Sequence, residues 1–73
     1  MQLHTVDIDK EVTVKALDRV DPLLSKRLQA FGVRPGCTVC LKQKGLFSGA
    51  CILECEGQRI GLRKKDLMSI EVE

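Results

Sequence analysis

The sequence predicts a mainly β protein with one inserted α-helix. Three observations predict it. Apolar and polar residues alternate in short runs from Val12 onward, turn residues separate those runs, and only one stretch, about residues 22–31, carries helical spacing. About five short strands of this kind favour a small barrel or sandwich, because closure removes the exposed edges that a short open sheet would present.

The helix is the most clearly punctuated element. Asp21 is a good N-cap residue, and Pro22 suits the first helical position, where its missing N–H costs nothing. Leu24, Leu28 and Phe31 recur at i, i+4 and i+7, so they share a face expected to cover the core. Gly32 supplies the left-handed residue that ends a helix, with Val33 placed for a capping hydrophobic contact. Pro35 and Gly36 then form a turn dipeptide.

The strands take their order from alternation. Residues 3–8 alternate loosely, as a first strand or an ordered arm, and Asp7, Asp9 and Lys10 mark a turn. Val12, Val14 and Ala16 share one face of the next run. Residues 37–44 form a strand with Cys37, Val39 and Leu41 inward and Cys40 outward. A hairpin loop bracketed by Gly45 and Gly49 leads to residues 50–56, with Cys51, Leu53 and Cys55 inward. Gly57 and Gln58 make a tight turn before residues 59–63, where Ile60 and Leu62 face inward. A helical turn over 64–67 and a short last strand carrying Ile70 and Val72 complete the chain.

Seventy-three residues accommodate a single domain, 1–73, with a core too small to house a deep catalytic cleft. Twelve basic and 10 acidic residues leave a net charge of only +2, and the only aromatics are two phenylalanines. Both features argue against base-stacking nucleic-acid recognition. No run approaches the about 20 apolar residues of a membrane-spanning helix, and no signal segment follows the initial Met, so a cytoplasmic protein is expected. In a reducing compartment the four cysteines read as thiols or metal ligands rather than disulfides.

Taken together, two blocks resemble the FeoA family, the small cytoplasmic proteins of bacterial ferrous-iron uptake. The first is Arg27-Leu28, Gly32, Pro35-Gly36, then Val39 and Leu41. The second is Ile60-Gly61-Leu62-Arg63, followed by Lys64-Lys65-Asp66-Leu67 and Ile70-Glu71-Val72. The resemblance spans nearly the whole chain and implies an SH3-like barrel of about five strands with the helix inserted. It also implies a partner, the cytosolic part of a FeoB-type ferrous iron transporter. The module is similar, too, to the C-terminal SH3-like domain of iron-dependent repressors. The chain departs from the family pattern in two turns: Asp9-Lys10-Glu11 stands where a Gly is common, and Ser48-Gly49-Ala50 where Gly-Asp-Pro is usual. The cysteines are not part of that pattern.

Cys37, Cys40, Cys51 and Cys55 superficially match the paired spacing of a four-thiolate zinc site, which would make the chain a metal-binding or metal-sensing protein. Strand alternation opposes this, because residues three apart on a strand point to opposite faces. Small buried hydrophobes are the preferred reading for Cys51 and Cys55, with Cys40 the most reactive thiol. His4 has no partner at ligand spacing and reads as a solvated surface residue. Ser25, Ser48 and Ser69 have no plausible His base, and no phosphate-binding glycine loop is present, so no catalysis and no cofactor are expected. The leading expectation is a non-catalytic accessory protein that binds its transporter. The alternatives are the metal-binding or metal-sensing protein and, second, an SH3-like nucleic-acid or regulator-associated binding module. The candidate contact residues are Lys26, Arg27 and Arg34 on or just after the helix, Leu46 and Phe47 at the hairpin tip, and Arg63, Lys64 and Lys65.

Overall fold

Strand β1 spans Glu11–Ala16, helix α1 Pro22–Ala30, β2 Thr38–Gln43, β3 Ala50–Cys55, β4 Gln58–Arg63, helix α2 Lys64–Met68 and β5 Glu71–Val72. The computed structural model describes residues 1–45 and 50–73. All strands belong to one antiparallel sheet in the order β4-β3-β2-β1-β5. The fold class is therefore the expected one, mainly β and SH3-like with an inserted helix.

The barrel does not close, which corrects the sequence expectation. β4 and β5 are the two edges of the sheet and do not pair with each other. β5 is only two residues long, and its register on β1 shifts between Val14 and Ala16. The short α2 between the edge strands packs on β4 and on the N-terminal 3-10 turn instead of extending a ladder.

One face of the sheet builds the core through directly opposed apolar pairs: Val12 with Val39, Leu41 with Leu53, and Leu53 with Ile60. Residues 3–8 form an ordered arm. Its turn, Leu3–Thr5, buries Leu3 and Val6, Gln2 bridges to Glu71, and the Leu3 N–H donates to the Ile70 carbonyl at 2.9 Å. His4 is half-buried rather than solvated, and its Nδ1 has no hydrogen-bond partner.

Helix α1 begins and ends as its sequence requires, with two corrections. Pro22 takes the first position, but the Asp21 side chain makes no capping hydrogen bond. Phe31 is the C-cap residue and is 37% exposed, so the core-facing side is carried by Leu28 and, in part, Leu24. At the C-terminus, Gly32 has φ +89, its N–H donates to the Gln29 carbonyl, and the Val33 N–H donates to the Leu28 carbonyl at 2.9 Å. Leu28 and Val33 are both fully buried, which completes a Schellman motif with its hydrophobic contact.

The second hairpin turn is Glu56-Gly57, one residue earlier than expected. Both residues have positive φ, and Cys55 pairs with Gln58 across them. Asp9 also has positive φ, at 67°. This accounts for the departure at that turn, because an Asp tolerates the left-handed conformation a Gly would otherwise supply.

Candidate functional site

An open groove of about 970 Å³ lies beside the β3–β4 pair and α1, lined by the core residues Cys51 and Leu62 as well as by outward ones. Among the outward ones, Ile52 sits directly opposite Gly61. A Cβ at Gly61 would meet nothing within 4 Å, so the missing side chain leaves empty space beside the half-buried Ile52. Leu24 of α1 and Leu62 add apolar lining.

The rim is basic. Arg19, Arg27, Arg63 and Lys65 line the groove, against two carboxylates, Asp21 and Asp66. Asp66 is already engaged, accepting the Arg63 backbone N–H at 3.0 Å at the start of α2, the reciprocal half of a capping box. The groove thus joins an apolar floor to a net positive rim, an arrangement suited to an acidic segment carrying apolar side chains.

Of the candidate contact residues, Arg27, Arg63 and Lys65 meet at this groove although the sequence separates them widely. Lys26 and Lys64 are exposed outside it, and Arg34 is exposed near Cys55. Leu46 and Phe47 lie outside the described residues. Sequence reasoning missed Arg19, Ile52 and Gly61. The signal available for the last two was an outward Ile on one strand and an outward Gly on the next.

The cysteines do not assemble as a four-thiolate centre. Among the described residues no three metal-ligating side chains gather. Cys51 and Cys55 are in the core, and Cys37 packs against it from the turn before β2. Cys40 does lie on the outer face as expected, yet it is buried there, at 9% exposure. The physical reason is its central position, with Glu11 directly opposite on β1 and Glu54 on β3. Close by, Lys42 donates to Asp9 at 3.1 Å, and that hydrogen bond, reinforced by the Coulomb effect of Cys40, raises its pKa.

Cys37 packs against the core that holds Cys55. Burial first, and then the charge and hydrogen bond of Cys37, push the Cys55 thiol up to about 11. A second cleft of about 460 Å³ opens beside them, lined by Cys37, Cys40, Glu54 and Glu56 among others.

The fold is an open SH3-like sheet with a helix inserted after its first strand, and the groove lies beside both. The chain belongs to the FeoA domain family, whose model matches residues 1–73. Among solved structures, the FeoA protein from Chlorobium tepidum is 18% identical with a TM-score of 0.89, the match covering 99% of this chain and 68% of that one. Iron(II) transport protein A from Clostridium thermocellum is 26% identical with a TM-score of 0.84, covering 100% of this chain and 44% of the other. The manganese regulator SloR is 20% identical with a TM-score of 0.76, covering 100% of this chain and 34% of that protein. Comparison with curated proteins returned no match. Among the described residues, no helix is long and apolar enough to cross a membrane.

Proposed function

We propose that the chain is a non-catalytic accessory protein of ferrous iron uptake, acting in the cytoplasm on the cytosolic part of a FeoB-type transporter. Membership of the FeoA domain family over residues 1–73 carries the reading and supports a role in ferrous iron transport. The groove between Arg27 and Arg63 supplies the contact surface, and it takes an acidic, partly apolar segment of the partner. Its basic rim steers the encounter, while Ile52 and Leu24 offer the apolar contact that holds the complex.

The test is a titration of the transporter's cytosolic part against this chain and against Arg63→Glu. Binding that weakens on charge reversal, with the thermal transition unchanged, supports the groove. Equal binding by both proteins moves the contact elsewhere, and no binding by either removes the transporter as partner.

The likeness to SloR favours a second reading, a module that associates with a regulator. Retention of a regulator's DNA-binding part on immobilised chain, where the transporter fragment is not retained, would select it.

A further inference from the structure

The two edges of the sheet differ in cover. At the β5 edge the N-terminal arm supplies it: Gln2 bridges to Glu71, and the Val72 N–H donates to the Met1 carbonyl at 2.6 Å. At the other edge, β4 pairs with β3 alone. Among the described residues, neither Arg59 nor Gly61 makes a backbone hydrogen bond outside that pairing.

The hairpin turn fixes which groups of β4 are left over. Cys55 and Gln58 flank the two-residue turn Glu56-Gly57, so they exchange both ladder hydrogen bonds. Antiparallel pairs alternate from there: Leu53–Ile60 and Cys51–Leu62 are bonded, while Glu54–Arg59, Ile52–Gly61 and Ala50–Arg63 are not. The N–H and C=O of Arg59 and Gly61 therefore point away from β3, toward the open edge. Arg63 agrees with this phase, because its N–H leaves the ladder and donates to Asp66 Oδ2 at 3.0 Å.

Arg59 and Gly61 are both exposed, and Gly61, having no side chain, lines the groove with backbone alone. Arg59 and Arg63 flank it on the same face, and Arg59 is 68% exposed although its Nε contacts Glu54 Oε2. A second copy of the chain fits this edge badly. Antiparallel self-pairing centred on Gly61 would set Arg59 against Arg63 twice, like charges across the strands. An acidic strand carries the complementary charge.

We propose that β4 is the strand to which the partner adds: an extended acidic segment pairs with the free edge through the backbone of Arg59 and Gly61. The proposal rests on the transporter reading and says how the partner's segment is held. Main-chain hydrogen bonds supply affinity, and alternate side chains supply selectivity. Acidic side chains at the two flanking positions meet Arg59 and Arg63, and a central apolar one reaches across the bare Gly61 toward Ile52. The occupant therefore has a period of two, with its acidic and apolar residues on one face of a strand.

The edge amides report on this directly. Isotope-labelled chain is followed by amide hydrogen exchange in NMR spectra, alone and saturated with the transporter's cytosolic part. Alone, the Arg59 and Gly61 amides should exchange faster than those of Ile60 and Leu62. In the complex both should slow by at least about tenfold. Binding that shifts the Arg27 and Ile52 resonances while both edge amides stay fast overturns strand addition and keeps the transporter reading. No change in any resonance removes that reading, and strand addition with it. Slowing that appears in the chain alone and grows with its concentration assigns the edge to a second copy and overturns the proposal. Gly61→Pro removes an edge N–H that no ladder bond uses, a position where an edge strand tolerates proline. With the β1 and β2 resonances unchanged, its affinity should fall by about tenfold or more, and wild-type affinity there overturns the proposal. If the variant loses its fold, exchange in the wild-type chain decides.

Discussion

The carboxylate of Glu56 lies against Gly32: a Cβ added to Gly32 would sit 2.8 Å from Glu56 Oε2. This contact joins the end of α1 to the β3–β4 turn, two parts of the chain that share no hydrogen-bonded ladder. Gly32→Ala must therefore bear two costs, a positive φ of 89° and a collision with a side chain that can swing away. The backbone cost dominates, and denaturant unfolding should show a loss of about 1–2 kcal/mol. Repeating the substitution in a Glu56→Ala background separates the two. A loss that persists there assigns it to the backbone, whereas a loss that disappears assigns it to the carboxylate.

Two leucines on the same helix should behave oppositely. Leu28 is fully buried in the same core cluster as Val33, while Leu23 is 73% exposed. Leu28→Ala leaves a cavity and should destabilise by roughly 2–5 kcal/mol, and Leu23→Ala should stay within about 0.5 kcal/mol. Urea midpoints of the two variants check this directly. Similar losses in both would mean that α1 packs on the sheet by a different face.

The contrast shows where sequence reasoning reached and where it stopped. The end of α1 was legible because a Schellman motif is local, needing only Leu28, Gly32 and Val33 in order. The inward residues of β3 and β4 were legible because one face of each strand is dry. The face of Cys40 was legible but its burial was not, because alternation predicts the face of a residue, and cover on that face depends on neighbours brought in by Glu11 and Glu54. Closure of the barrel was overestimated because it turned on a two-residue strand and on the packing of α2. The groove escaped notice because it lies beside β3, β4 and α1 together and includes a register, Ile52 against Gly61, that no single segment encodes.

Stability should fall at alkaline pH through Cys55. Its pKa is raised from 9.0 to about 11 in the folded chain, chiefly by burial. The unfolded chain thus releases this proton first. The contribution is complete below pH 9.0 and is lost progressively as pH rises through about 11, amounting to on the order of 2 kcal/mol. Unfolding midpoints measured from neutral to alkaline pH should show this decline in the wild type and a shallower one in Cys55→Ala. Parallel curves would remove Cys55 as the cause.

Filling the groove should separate binding from folding more cleanly than removing a charge. Gly61 faces open space on the outer side of β4, away from the core formed by Ile60 and Leu62. A Cβ there meets nothing within 4 Å, and a leucine built on it extends toward the volume beside Ile52, where the partner's apolar side chains would lie. Gly61→Leu should leave the thermal transition unchanged or slightly raised, since Gly weakens a strand interior. Affinity for the transporter's cytosolic part should drop by roughly tenfold or more, the equivalent of at least about 1.4 kcal/mol. Charge reversal at Arg63 acts differently, slowing association in a salt-dependent way. If Gly61→Leu binds as well as the wild type while Arg63→Glu does not, the rim attracts the partner but the floor does not receive it. The contact would then run along the exposed basic edge of Arg63 to Lys65.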